Sequence, residues 1–210
     1  MTENQTTIKL RIDVDYPYPS PRSRSFLCVA LGIKRRDSKD YLKNAKIIAK
    51  MVNESPKQVK ACWFFTLYAI PDKELLSLLN PDRHEIGLHV AKNPVKELKA
   101  LEDKTNRKLK YYSIHGTSNL LSQLLWKRKP GQKQAKIPND FSLKSFHDFT
   151  TTSLDRRIFQ VGLGSVKVEA KNWIAQGTVI SIHPEWLYAR GEKNRRGPFY
   201  EALKMILGVD

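Results

Sequence analysis

The stretch TIKLRIDVDYPYP, residues 7–19, decides the fold that the rest of the chain follows. Apolar and charged residues alternate from Ile8 to Asp15, which is the period-two pattern of a strand. The strand ends with Asp13 and Asp15, which are two residues apart and therefore point to the same face. Prolines follow at once and end the strand. A strand that finishes with two carboxylates on one face indicates the wall of a polar site.

Composition limits the class of protein to which the chain can belong. Its 210 residues suit one domain over residues 1–210, and a hydrophobic content of 40% is enough for a core. The first ten residues lack the apolar stretch of a signal peptide, and no run of about 18 apolar residues occurs. The sequence therefore predicts a soluble, cytoplasmic protein without a membrane span. Its two cysteines, Cys28 and Cys62, imply no disulfide framework and are expected to act as small buried hydrophobes.

The chain is strongly basic, with 37 Lys and Arg against 21 Asp and Glu and a formal net charge of +16. Such a charge favours anionic partners such as nucleic acid, phosphorylated metabolites or an acidic membrane face. A basic but merely solvated surface is the alternative, because net charge speaks to solubility more than to fold.

Strand and helix patterns take turns along the sequence. The periodicity predicts helices over 38–54, 71–80, 94–105, 119–129, 166–176 and 197–208. It predicts strands over 8–15, 60–70, 84–90, 110–116 and 178–184, with further strands in FSLKSFHDF (141–149) and RRIFQVGLG (156–164). This alternation is typical of parallel strands joined by helices. We predict an α/β fold, an incomplete (β/α) barrel of about seven strands.

Histidines follow or end three of the other predicted strands: His89, His115 and His183. Groups at the carboxyl ends of parallel strands converge on one face, so these imidazoles are expected to meet Asp13 and Asp15. Carboxylates with several imidazoles suit a divalent metal, and Zn²⁺ is the expected ion. Each residue alone also has a structural interpretation, as a turn cap or a hydrogen-bonded histidine.

The two remaining histidines, His84 and His147, are predicted to be structural. His84 precedes its strand and is expected to be solvent-exposed, whereas His147 is expected to be half-buried, with a place in the site as the alternative.

Three segments together, RIDVDYP, HEIGLHV and VISIHPEW, resemble the polysaccharide deacetylase (NodB-homology) family in their order along the chain. The resemblance implies a distorted, incomplete barrel and metal-dependent hydrolysis of the amide of an N-acetylated sugar. It implies that Asp13 is the general base, that Asp15 and His89 bind the metal, and that His183 is the general acid. Asp13 would take a proton from the attacking water and His183 would protonate the departing nitrogen.

The sequence departs from the family pattern at two points. Asn93 stands where the second metal-binding histidine is expected, and the arginine-proline motif in the middle of the chain is not evident. Three alternatives follow: His115 replaces the missing ligand, Asn93 serves as a weak third ligand, or metal binding has been lost.

Three residues near these segments are candidates for binding the substrate. Trp186 could form an apolar platform for a sugar ring, or simply pack after the last strand. Arg22 and Arg24 could bind an anionic group such as a phosphate, or lie in a solvated loop.

Two functions from different classes are consistent with the sequence. The favoured one is a metal-dependent hydrolase that removes an acetyl or similar acyl group from the amide of an N-acetylated sugar or related small molecule. A phosphorylated substrate would suit the positive net charge of the chain. The alternative is a non-catalytic binding module on the same scaffold that holds an anionic partner such as nucleic acid.

Overall fold

Seven parallel strands form one sheet, and helices pack against it. The computed structural model describes residues 7–15, 39–67, 69–115, 134–146, 149–184, 187 and 197–209. The strands are β1 (Ile8–Val14), β2 (Val59–Phe65), β3 (His84–Val90), β4 (Tyr111–Ile114), β5 (Lys144–Ser145), β6 (Thr151–Ser153) and β7 (Val179–Ile182). The helices are α1 (Lys39–Glu54), α2 (Lys73–Leu78), α3 (Pro94–Thr105), α4 (Leu154–Ala175) and α5 (Pro198–Leu207).

The strand order across the sheet is β5-β4-β3-β2-β1-β7-β6, and all neighbours pair in parallel. The first strand therefore lies inside the sheet, between β2 and β7. Its register aligns Ile12 with Trp63 on one side and with Ile182 on the other. The fold is a distorted, incomplete (β/α) barrel, as the sequence predicts. The carboxyl ends of β1, β3, β4 and β7 all lie at one edge of this sheet.

The alternation of residues in β1 divides the sheet into two faces. Ile8, Leu10, Ile12 and Val14 are all fully buried in the main core, together with apolar residues of the helices. Burying each such side chain contributes roughly 1.5–3 kcal/mol, which ties the register of β1 to this face. Arg11, Asp13 and Asp15 consequently point to the opposite, inner face.

The inner face has a smaller apolar layer of its own. Cys62, Phe64, Phe146 and Val179 form this cluster, and Tyr111 packs against it. The Phe64 ring crosses Gly87 of the neighbouring strand so closely that a Cβ atom there would lie 2.5 Å from Cε1 of Phe64. A side chain at position 87 would therefore displace the ring.

One of the predicted strands, 156–164, is wrong, and another, 141–149, is correct over two residues only. Residues 156–164 lie within α4, in which Leu154 and Ile158 are buried at helical spacing; Gly162 (φ 75°, ψ 169°) is not helical and divides α4 into two helical segments. Within the described part of 141–149, only Lys144–Ser145 forms a strand, whereas Thr151–Ser153 is a strand that the pattern does not indicate. The predicted helix at 119–129 lies outside the described residues.

The other predicted elements are confirmed: the bounds of α3 and β3 are identical to those predicted, the predicted helix 166–176 is the second part of the longer α4, and the rest are shorter than predicted or shifted by a residue. None of the helices in the described ranges combines the length and the apolar character that crossing a bilayer requires.

Candidate active site

The ends of four strands bring acids and imidazoles together on the inner face. Asp15 directly follows β1, His89 is in β3, His115 directly follows β4, and His183 directly follows β7. Backbone bonds fix these ends: His115 donates its N–H to the Val90 carbonyl at 2.9 Å, and the Thr66 hydroxyl donates to the Asp15 carbonyl at 2.6 Å. The convergence expected from parallel strand ends is therefore present.

Asp15, His89 and His115 form a group that can hold a metal ion, since one donor atom of each lies within 4.8 Å of the others. Nε2 of His89 lies 2.9 Å from Oδ1 of Asp15, and Nε2 of His115 lies 3.6 Å from Oδ2. Both imidazoles are buried, with 3% and 6% of their surface exposed. Of the sequence alternatives, this geometry favours the one in which His115 supplies the third ligand.

The chemistry of this group fits a divalent ion. One carboxylate and two imidazoles are a common donor set for Zn²⁺. Oδ1 of Asp15 is buried and forms no hydrogen bond of good geometry with any residue that the structure describes, although His89 is near. Burial acts to raise the pKa of Asp15, but His115 and His89 hold it well below its usual range, so the carboxylate is ionised and able to bind a cation.

Ser113 orients the first imidazole. It lies on β4 opposite His89, is fully buried, and its Oγ lies 2.7 Å from Nδ1 of His89. A partner on Nδ1 leaves Nε2 directed at Asp15, which is the arrangement typical of metal-binding histidines. The sequence placed Ser113 on the same face as His115 but did not pair it with His89.

Asp13 has a buried cationic partner two residues earlier in its own strand. Nε of Arg11 donates to Oδ1 of Asp13 at 2.9 Å, and the guanidinium carbon lies 5.4 Å from the centre of the Phe64 ring. Burial acts to raise the pKa of Asp13, but Arg11 and the nearby imidazoles lower it overall, so this carboxyl is ionised at neutral pH. Sequence analysis missed Arg11, although its i, i+2 spacing from Asp13 indicated a shared face.

His183 is held by an acid that the sequence did not reveal. Oδ2 of Asp155 accepts bonds from both Nδ1 (2.7 Å) and the backbone N–H (3.2 Å) of His183. Nε2 is thereby directed inward, 3.9 Å from Oδ2 of Asp13 and 3.9 Å from Oδ2 of Asp15. Burial acts to lower the pKa of His183, but the bond to Asp155 and the charges of Asp15 and Asp13 raise it to about 10. The imidazole is therefore protonated at neutral pH.

Asn93 has a different role from the one that the family pattern suggests. It is exposed and forms the N-cap of α3, with Oδ1 accepting the Lys96 N–H at 3.1 Å. The buried Glu97 carboxylate accepts the N–H groups of residues 91–93 and fixes this turn. The Asn93 amide oxygen is thus engaged in ending the loop after β3 rather than in the metal group.

The remaining histidines and the substrate-binding candidates lie away from this cluster or outside the described residues. The predicted exposure of His84 is wrong, because only 3% of its surface is accessible. Its Nδ1 accepts a hydrogen bond from Trp63 Nε1 at 2.9 Å, and its Nε2 contacts Asn53 Oδ1. That structural role is the one expected of it. Cys62 is buried and free. Trp186, Arg22, Arg24, Cys28 and His147 lie outside the described residues.

Comparison with known proteins gives similarity in structure and none in sequence. No protein-family model matches the chain, and no curated protein matches it either. A protein from Mycobacterium smegmatis assigned as a polysaccharide deacetylase matches with a TM-score of 0.50 and 12% identity, over 99% of this chain and 85% of that one. The chain has the fold of a polysaccharide deacetylase.

A second solved structure is also similar to this deacetylase-like chain. It is a mutant of a CE4-family pseudoenzyme with restored enzymatic activity, with a TM-score of 0.49 and 16% identity over 98% of this chain. The chain spans 62% of the length of that protein. The similarity to the protein from Mycobacterium smegmatis confirms the resemblance noted in RIDVDYP, HEIGLHV and VISIHPEW as one of fold, in a divergent sequence.

Proposed function

We propose that the chain is a divalent-metal-dependent hydrolase that removes an acetyl or similar acyl group from the amide of an N-acetylated sugar or related small molecule. The observation that carries this proposal is the convergence of Asp15, His89 and His115 beside Asp13 and the Asp155–His183 pair. This convergence supports a mechanism in which a metal ion, a base and an acid act on one substrate. The deacetylase fold supports the reaction class.

Asp15, His89 and His115 would hold the ion, and Zn²⁺ is the ion that we propose. When bound, the ion supplies Lewis acidity, which makes water nucleophilic near neutral pH and offsets negative charge on the carbonyl oxygen. Ser113 keeps Nε2 of His89 directed to that position.

Asp13 is the proposed general base. Arg11 occupies Oδ1, so Oδ2 is the oxygen left to accept a proton from water. Its lowered pKa keeps the group ionised before the reaction begins. Arg11 also fixes the carboxylate in one orientation, the type of restraint that general-base catalysis requires.

His183 is the proposed general acid. Its Nδ1 is bonded to Asp155, and its protonated Nε2 faces the inner pocket. From there it can donate a proton to the amide nitrogen as the carbon–nitrogen bond breaks. After one turnover, a proton must pass from Asp13 to His183, whose facing atoms are 3.9 Å apart.

For the substrate we propose a saccharide or a related small amide. The net charge of +16 favours a substrate with a phosphate group. Trp186, which follows β7 in the sequence, would serve as a platform for a sugar ring, and Arg22 and Arg24, which follow β1 in the sequence, would bind an anionic substituent. Both assignments stay predictions from the sequence.

A binding module for nucleic acid is the second candidate, because the chain carries the same +16 charge. It would bind through its basic surface, independently of Asp13 and His89. Retention on nucleic acid that falls with salt and is unchanged in Asp13→Asn would favour this candidate.

The test is acetate release from N-acetylglucosamine oligomers and N-acetylglucosamine phosphates, followed before and after chelation. We expect chelation to abolish release and Zn²⁺ to restore it. His115→Ala should lose both bound zinc and activity, whereas Asn93→Ala should keep the metal and lose at most some stability, because it removes only a helix cap. Full activity in excess chelator would refute the proposal.

A further inference from the structure

A cavity of about 580 Å³ lies at the opposite end of the inner face from the metal group. Its walls come from the amino ends of the strands, including Lys9 and Leu10 of β1, Lys60 to Cys62 of β2 and Val179 of β7. Lys9 and Asp15 are six residues apart in extended chain, which separates the two sites by roughly 20 Å. The apolar layer around Phe64 lies between them.

The cavity is lined by cations. Its described lining residues include six basic side chains and one carboxylate, Glu85: the basic ones are Lys9, Lys60, Arg83, Arg107, Lys108 and Lys110. Glu85 is already paired with Nζ of Lys110 at 2.8 Å. Within the part of the chain that the structure describes, Lys9 and Lys60 have no carboxylate within 4.0 Å. The cavity therefore has an excess of positive charge.

Among the residues that the structure describes, Arg83 and Arg107 are held by carbonyl oxygens and have no carboxylate partner. Arg83 donates to the carbonyl oxygens of Val52 (2.7 Å) and Ser55 (2.8 Å) at the end of α1, and Arg107 donates to Leu79 (2.9 Å) after α2. Carbonyl oxygens satisfy hydrogen bonds but carry no formal charge. These guanidinium groups therefore add a permanent positive field at a defined position.

One wall of the cavity is aromatic. The ring centres of Phe146 and Phe149 are 4.8 Å apart, and Tyr111 lies edge-on to both, at 5.7 and 6.4 Å. Phe149 is 42% exposed, an unusual state for a phenyl ring within such a cluster. A planar ring stacked on Phe149 would cover that surface, while Cys62 and Ile86 supply an apolar floor.

We propose that this cavity is a second binding site, for a small ligand that combines a phosphate group with a planar ring, the chemistry of a nucleoside phosphate. Lys108 is paired with Glu102 at 3.1 Å and Lys110 with Glu85, so the remaining four cations are the ones that suit the phosphate, and the aromatic wall suits the ring. The volume is that of pockets that enclose small molecules rather than polymers. The site is distinct from the proposed catalytic centre and does not depend on it.

The test is calorimetric titration of the full chain with ADP and, separately, with pyrophosphate. We expect ADP to bind, and the double substitution Lys9→Gln, Lys60→Gln to weaken its binding by about tenfold or more through lost charge. Phe149→Leu should weaken ADP but leave pyrophosphate unchanged. Lys99→Gln and Phe159→Leu, which change exposed residues on α3 and α4, are the matched controls and should bind as the original chain does.

The Asp15→Asn variant tests whether this site is independent of the metal group. We expect the variant to bind ADP with unchanged affinity. Three results would overturn the proposal: no binding of ADP at about millimolar concentration, equal binding by the lysine double variant, or tighter binding of a single-stranded oligonucleotide that competes with ADP and is lost with the same lysines. The last result would indicate a polynucleotide surface instead of a small-molecule site.

Discussion

At the scale of single residues, the candidate site consists of groups whose partners fix their charge and direction. Asp13 with Arg11, His89 with Ser113, and His183 with Asp155 are three such pairs. The acids of β1 and the three imidazoles of the cluster could be found from the sequence because they lie at or near the ends of predicted strands. Asp155 could not, because it begins a helix 28 residues before His183 and no local pattern links the two.

Asp155→Asn is expected to lower the rate constant for deacetylation by roughly 100-fold, since an amide cannot stabilise the protonated His183. Loss of the Asp155 carboxylate lowers the pKa of His183. Activity requires the protonated acid and falls as pH rises through that pKa, so the upper limb of the pH–rate profile should move to lower pH. The measurement is kcat across pH for this variant and for Asp103→Asn, an exposed control on α3. An unshifted limb would contradict the role of Asp155 as a positioning residue.

Ser113→Ala is expected to weaken zinc binding by about 10- to 100-fold, because Nδ1 of His89 loses the partner that orients the ring. Affinity can be measured by competition with a chromophoric chelator and needs no substrate. Ser165→Ala, at an exposed position of α4, should bind zinc as the original chain does. Equal affinities of the two variants would show that Ser113 has no part in orienting His89.

His84 makes a different prediction, about stability and pH. Burial lowers its pKa from 6.5 to about 4. Between pH 4 and pH 6.5 the unfolded chain binds a proton at His84 that the folded chain does not. The contribution of neutral His84 to the free energy of unfolding is therefore complete above pH 6.5 and is lost as the pH falls to 4. The loss is about 3 kcal/mol. The difference in free energy of unfolding between the original chain and His84→Gln should change over this pH range; a constant difference would contradict the prediction.

At the scale of elements, the sequence predicted those that carry either a clear period or a short apolar run. The apolar residues of β1 alternate and α3 is buried at helical spacing, whereas β2, β3 and β7 are almost continuously buried runs. The segment 156–164 misled the prediction because Gly162 and Gly164 reduce its helical pattern, although packing of Ile158 keeps it in α4. The short strands β5 and β6 carry too few residues for a period, and only their neighbours in the sheet define them.

Gly87→Ala is expected to destabilise the fold by roughly 1–3 kcal/mol, because the new Cβ atom would overlap the buried Phe64 ring. The ring has little freedom to move, since Phe146 packs against it at 4.9 Å. Gly164→Ala is the matched control: no atom lies within 4 Å of its Cβ position, and alanine is the better helix former. Urea unfolding should therefore give shifts of opposite sign for the two variants, and the same sign for both would be inconsistent with this packing.

At the scale of the whole molecule, the proposed metal group joins segments that are far apart in the chain. Asp15, His89 and His115 follow or belong to β1, β3 and β4, which are not all neighbours in the sheet. Zinc that binds the folded chain alone should stabilise it by about 2.7 kcal/mol at a free concentration of 100 times Kd. The thermal midpoint should rise with zinc and fall with chelator, and Asp15→Asn should show neither change. A zinc-dependent rise that persists in Asp15→Asn would place the ion elsewhere.

Arg11, Asp13 and Asp15 lie within five residues at the carboxyl end of β1 and directly after it, so an insertion in this strand would affect all three. One additional amino acid between Leu10 and Arg11 would rotate all three polar groups to the helix side at once, and would send Ile12 and Val14 inward. Substitutions in this strand can therefore be tolerated in evolution, but insertion of one residue cannot. Insertion of two residues would keep every side chain on its face of the sheet and would change only its position along the strand.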